Sequence, residues 1–244
     1  QNFSKRFINN SDAFIINTYL PLKEEIKLEL ALGQFPQLWK YKDKINSYSQ
    51  IKNLKTDSDK RDKLAKNFES KSNDYLENIS TKLLFELLPK IYLEGFDELT
   101  KIVKNQPWPK SPKFIFTSNE FFGNDIFKLW SAFKTEQETK YFIGQHGNNY
   151  GTKRNTAPRV EETIPYKFIT WGWKNQSSRF VPGFIFKNED KNYKFNPDGG
   201  LLLIETSYTK HNSTYDERYQ YLKYLDDQIK FVSCLGNKPK NKLT

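Results

Sequence analysis

The chain has 244 residues, a net charge of +10, 36% hydrophobic residues and 16% aromatic residues. That length suits one large domain, or one domain and part of another, and a core of large rings can fold despite the modest apolar fraction. The single cysteine, Cys234, excludes an internal disulfide framework and a cysteine-based metal site, and no apolar run reaches the roughly 18 residues of a membrane span.

In chain order, residues 12–32 carry Phe14, Ile15, Tyr19, Leu22, Ile26 and Leu30 at helical spacing, with Ser11 or Asp12 as cap. This predicts a helix that Pro21 kinks or splits. A second helical region is expected over 60–89 and a short third helix over 94–104, so residues 1–106 read as a helical N-terminal region. Pro107, Pro109 and Pro112 then form a stiff connector. Three short apolar runs follow, at 113–118, 140–144 and 167–171, and each reads as a buried strand. Between the first two lies a helix over 125–137, capped by Asn124 or Asp125, with Phe127, Trp130 and Phe133 facing inward. The order strand, helix, strand, loop, strand predicts an α/β core with a parallel sheet over 107–185.

Residues 174–198 are polar and broken by Pro182, Gly183 and Pro197, with the linker proper drawn at 186–198. A fourth buried strand is expected at 199–205 and an amphipathic helix over 214–235, bearing Tyr221, Leu222, Leu225, Ile229 and Val232. Residues 199–244 thus read as the start of a second, Rossmann-like α/β domain. The absence of Met and an end in mid-pattern read as a piece of a longer protein. Cys234, close behind Phe231 and Val232, is expected as a small buried thiol, in keeping with a reducing cytoplasm. No signal-peptide pattern opens the chain.

Loops leaving the C-terminal ends of parallel strands form the usual ligand crevice of such sheets. Three occur here, at 118–124, 145–152 and 171–173. The second, Gly144-Gln-His-Gly-Asn-Asn-Tyr-Gly151, is the sharpest. His146 titrates near neutrality and suits a general acid or base. Gln145, Asn148 and Asn149 carry amides matched to sugar hydroxyls or phosphate oxygens, and Tyr150 offers a ring or a hydroxyl. Glu161 follows as a carboxylate for glycosyl chemistry, and Glu120 with Asn119 flanks the first loop. Lys153 and Arg159, between the loop and Glu161, are candidates for phosphate or a sugar carboxylate. Trp171 and Trp173, turned about Gly172, are expected to divide between sugar stacking and core packing. No P-loop, dinucleotide fingerprint or nucleophile elbow is present. The two histidines, His146 and His211, show no metal-ligand spacing, so neither a metal nor a cofactor is expected. The basic residues are scattered among acids without an aromatic-basic module, so nucleic acid is not expected as a partner.

Taken together, Thr117-Ser-Asn119, Phe127-Lys-x-Trp130, Gly144-Gln-His-Gly-x-x-Tyr-Gly151, Glu161 and Thr170-Trp-Gly-Trp173 resemble a family of bacterial transferases found with O-antigen and surface-polysaccharide genes. Leu201-Leu-Leu-Ile204 and Tyr221-Leu-x-x-Leu225 add a weaker likeness. The resemblance implies a two-domain fold of the glycosyltransferase-B type, distantly like Kdo and sialyl transferases. It further implies a nucleotide-sugar donor, a glycan or lipid-linked glycan acceptor, and a cytoplasmic protein peripheral at the inner membrane face. It matches His146, Gln145, Tyr150 and Glu161 position by position. The chain departs from the pattern at Asn148 and Asn149, where glycines are usual, and at Tyr166, where Asp is usual. Two other readings fit the same residues: a non-catalytic glycan-binding scaffold of the assembly system, and another phosphate-linked transferase.

Overall fold

The computed structural model describes residues 7–39, 54–68, 75–147, 150, 159–187, 194, 196–205 and 217–243. The chain divides into two compact units, Gln1–Asp190 and Lys191–Thr244. The first unit is α/β. Its sheet has five strands in the order β1-β2-β3-β4-β5: Phe14–Ile16, Phe114–Thr117, Lys140–Gly144, Lys167–Thr170 and Phe180–Pro182. All four pairings are parallel, with Phe14 beside Ile115, Ile115 beside Tyr141, Phe142 beside Lys167 and Phe168 beside Phe180.

Alternation along each strand divides its side chains between two cores. One core takes Phe14, Ile16, Ile115, Tyr141, Ile143 and Phe168. Helix α4 (Phe96–Lys104) adds Leu99, Ile102 and Val103 to it, and helix α5 (Asp125–Glu136) adds Ile126, Phe127 and Trp130. Phe14, Trp108 and Trp130 form its aromatic centre, with ring centroids 4.6–5.2 Å apart. The other core gathers Ile15, Phe116 and Phe186, with Leu28 from helix α1 (Leu22–Ala31) packed on it. The sheet is therefore covered on both faces, which is why its strands read as continuous apolar runs.

The strands expected at 113–118, 140–144 and 167–171 are present, as is the helix expected at 125–137, which runs Asp125–Glu136. Asn124 caps that helix, accepting from the Phe127 N–H at 3.1 Å. The region expected to be helical over 60–89 holds two helices, α2 (Ser58–Phe68) and α3 (Tyr75–Leu87). Arg61 joins them: it pairs with Glu94 at 2.7 Å and donates to the carbonyls of Phe85, Glu86 and Leu88 at the end of α3. Those carbonyls have no partner within the helix, so the guanidinium serves as a cap from outside.

Four expectations are corrected. Residues 12–32 do not form one helix: 14–16 are β1, and the helix starts only at Leu22 after Pro21. All three β1 side chains are buried, on opposite faces of the sheet, a demand that a one-sided helix stripe cannot meet. Asn17 and Tyr19, at φ 52° and 62°, then turn the chain away from the sheet. The polar stretch read from residue 174 contains β5, a short edge strand whose Pro182 is tolerated there. Residues 199–205 are not a buried strand: Leu202 and Ile204 are 69% and 80% exposed, and only Leu201 bridges to Leu243. Cys234 is exposed rather than buried, at the end of α7 (Glu217–Cys234).

Candidate functional site

Each strand of a parallel sheet ends at the same edge, so five separate loops converge there without being neighbours in sequence. Leaving β1 are Asn17, Thr18 and Tyr19. Leaving β2 are Ser118, Asn119 and Glu120. Gln145 and His146 leave β3, and Trp171–Trp173 leave β4. Hydrogen bonds tie the first two loops together. The Ser118 hydroxyl donates to the Thr18 carbonyl at 2.8 Å, the Ser118 N–H donates to the Asn17 carbonyl at 3.0 Å, and Asn17 donates to the Asn119 side-chain oxygen.

His146 lies half-buried at the centre. Its Nδ1 is 2.9 Å from the Tyr150 hydroxyl, which donates to Glu161 Oε1 at 2.9 Å. The Tyr150 hydroxyl has one proton, and a carboxylate can only accept. With that proton on Glu161, the hydroxyl oxygen can accept from an Nδ1–H, the ring tautomer in which the second nitrogen holds the lone pair. Glu161 is 5% exposed and Tyr150 4% exposed, so this chain of three groups is shielded from water at its far end. Helix α6 (Val160–Thr163) presents Glu161, and Glu162 closes the helix start by accepting the Arg159 N–H at 2.9 Å.

Burial pushes the His146 pKa down, and the positive charges of Arg159 and Lys187 push the same way. Glu161 and the Ser118 carbonyl oppose them by favouring the charged ring. The balance is a neutral imidazole at neutral pH, the form a general base requires. Burial first, and then the bond to Glu161, pushes the Tyr150 hydroxyl well above its usual range, so it keeps its proton.

Two cations flank this centre. The Arg159 guanidinium lies 4.6 Å from the Tyr150 ring centroid and 4.0 Å from Glu161 Oε1. The Lys187 ammonium lies 4.3 Å from the Tyr19 ring centroid, and Tyr19 in turn stacks on His146 at 6.4 Å and 17°. Phe122, 58% exposed, meets the imidazole edge-on at 5.2 Å.

The residues expected to bind substrate fall into distinct positions. Gln145 is 3% exposed and its amide is engaged. Its Oε1 accepts from the Trp171 N–H at 2.9 Å and Trp173 Nε1 at 2.8 Å, while its Nε2 donates to the Gly147 carbonyl at 2.6 Å. Trp171 Nε1 donates to the Gln145 carbonyl at 2.9 Å. Gln145 therefore joins the histidine loop to the tryptophan loop. Trp173 packs on the larger core and against Phe180 at 5.4 Å, whereas Trp171 stays half-buried at the edge. Asn119 donates to the Tyr19 hydroxyl at 2.6 Å and so helps set the ring beside His146. Glu120, 2% exposed, accepts from Asn124 at 2.6 Å and Asn17 at 3.3 Å, beneath the loops. Asn148, Asn149 and Lys153 lie outside the described residues.

Sequence reasoning missed Asn17, Tyr19, Phe122 and Lys187. For the first two the signal was present: Ala13-Phe-Ile-Ile-Asn17 is a short apolar run ended by a turn-forming residue ahead of a proline. Lys187 carries no local signal. Tyr166, the position that departs from the family pattern, lies before β4, at the opposite edge of the sheet from His146. Among the described residues no three of His, Cys, Asp and Glu gather as a metal-binding group, and no helix is long and apolar enough to cross a membrane.

All 244 residues match a family model described as LIC12162 family transferase. No curated protein matches the chain, and no solved structure does.

Proposed function

Because the chain belongs to the LIC12162 family of transferases, we propose that it moves a sugar from a nucleotide-sugar donor to a surface-polysaccharide acceptor. The observation that carries this reading is the His146–Tyr150–Glu161 chain of hydrogen bonds at the carboxyl edge of the parallel sheet. In this reading His146 takes the proton of the acceptor hydroxyl as its oxygen bonds to the anomeric carbon. The bond from that carbon to the phosphate breaks, and the nucleotide leaves with the electron pair. The proton stays on the imidazole, whose charge Glu161 offsets through Tyr150. A neutral histidine held beside a buried carboxylate is suited to this step.

The parallel sheet with its site at the strand ends supports a glycosyltransferase-B arrangement, in which residues 199–244 belong to the second of two domains. The net charge of +10 supports contact with an anionic membrane face that carries a lipid-linked acceptor, on the cytoplasmic side. O-antigen-like glycan is the acceptor class that the sequence resemblance favours.

The test is nucleotide release and sugar transfer with CMP-, UDP-, GDP- and dTDP-sugars in the presence of acceptor glycan. One donor class is expected to turn over, and His146→Ala is expected to lower the rate by about 10²- to 10⁴-fold. No turnover of any donor, or an unchanged rate in His146→Ala, would overturn the reading.

A further inference from the structure

His146 has a tyrosine on either side, and each tyrosine carries a cation on its ring: Lys187 on Tyr19 and Arg159 on Tyr150. Arg159 has Glu161 within 4.0 Å. Among the described residues Lys187 has no hydrogen bond and no acid beside it; its one partner there is the Tyr19 face. Glu161 balances the charge of Arg159, so among the described residues Lys187 is the unbalanced cation beside the imidazole, an excess that a bound anion would offset.

The position of Lys187 is built into the fold. Its neighbour Phe186 is 4% exposed and packs edge-on to Phe116 at 5.8 Å. Phe186 occupies the space that a side chain at Gly144 would fill, directly under the histidine loop. The Gly183 N–H donates to the Thr170 carbonyl at 2.9 Å and holds the start of the same segment against the sheet. Tyr19 is fixed as well, by its left-handed backbone at φ 62° and by the bond from Asn119. The ammonium is thus anchored at both ends, on a buried phenylalanine and on a fixed ring.

We propose that Lys187 is the anion-binding residue of this site, holding a phosphate or carboxylate oxygen of the substrate beside His146. The proposal rests on the transfer reading and sharpens its substrate class. A phosphate would belong to the activated donor, and a carboxylate to an acidic sugar. A cation held on an aromatic face keeps most of its hydrogen-bonding capacity, because the ring engages one side of the ammonium and leaves the others for oxygen.

The test is calorimetric titration of the whole chain with inorganic pyrophosphate and, separately, with glucuronate. Wild type is expected to bind at least one of them saturably. Pyrophosphate binding assigns the subsite to the donor, and glucuronate binding assigns it to an acidic sugar. Lys187→Ala is expected to weaken that binding about tenfold, the size of one charged hydrogen bond. Lys60→Ala, on the surface of α2, is expected to bind as wild type does. The proposal fails if wild type binds neither probe, if Lys187→Ala binds as wild type does, or if Lys60→Ala weakens binding equally. No turnover is needed, so an intact anion subsite in a chain that transfers no sugar would sink the transfer reading alone.

Discussion

The Tyr150 hydroxyl is the residue-scale hinge of the site, because it is the single link between His146 and Glu161. Tyr150→Phe keeps the ring that packs on Phe168 at 5.2 Å and removes only that link. It leaves the buried Glu161 carboxyl without its hydroxyl donor, at a stability cost of about 1–3 kcal/mol. Chemical denaturation would read that cost, and a transfer assay would show a parallel fall in rate. The imidazole itself reports the charges around it. The folded-state pKa of His146 lies below its ordinary value, so the unfolded chain binds the proton more readily. The stability this group contributes is present above about pH 6.5 and is lost as pH falls through the folded pKa. Lys187→Ala removes a positive charge and should raise the His146 pKa, whereas Glu161→Gln should lower it. With only His146 and His211 in the chain, imidazole proton resonances followed against pH can read both shifts.

Elements set what the loops at the sheet edge can tolerate. At Gly144, the last residue of β3, an added Cβ would run into the Phe186 ring and come within 3.0 Å of the Ser118 hydroxyl. Gly144→Ala should cost about 1–3 kcal/mol by overpacking and should disturb Lys187 along with Phe186. Three residues on, Gly147 has open space around its Cβ position, so Gly147→Ala should stay within about 0.5 kcal/mol of wild type. Thermal unfolding of the two variants side by side checks the contrast. In the α2–α3 pair, Arg61 holds the Glu94 carboxyl down to about 2, mainly through their hydrogen bond. Because that value lies below the ordinary 4.5, the contribution is present above pH 4.5 and is lost as pH falls toward about 2. Arg61→Ala should abolish this dependence and expose the last carbonyls of α3 to faster hydrogen exchange.

At the scale of the whole molecule, burial is concentrated in the first unit. Phe14 is fully buried and touches Trp39, Trp108, Phe127 and Trp130, so it joins β1 to the helices on one face. Phe14→Ala should destabilise the chain by about 3–5 kcal/mol, read from tryptophan fluorescence during denaturation. In the second unit no described side chain is buried. Its amides in α7 should therefore exchange faster than those of β2 and β3, whose backbone bonds are covered on both faces.

Much of this architecture was legible in the order of the residues. The runs at 114–117, 140–144 and 167–170 are apolar on both faces, so each announces a strand buried on both sides, and their spacing around α5 announces a parallel sheet. Gly144-Gln-His-Gly147 announced a loop that carries a titratable ring out of an apolar strand, and the structure has His146 leave β3 at that point. Other features were not legible. β1 has three residues, too short for period two to outvote the helical spacing around it, and only its pairing with β2 makes it a strand. Gln145 has the composition of a ligand-binding amide, and only the fold reveals that the two tryptophans use it. Lys187 stands 41 positions from His146 in the chain. Local sequence determines which stretches become strands and loops, because propensity and burial act over a few residues. Which charges meet at the edge of a parallel sheet is decided by tertiary structure alone, because that edge is assembled from five segments that the chain keeps apart.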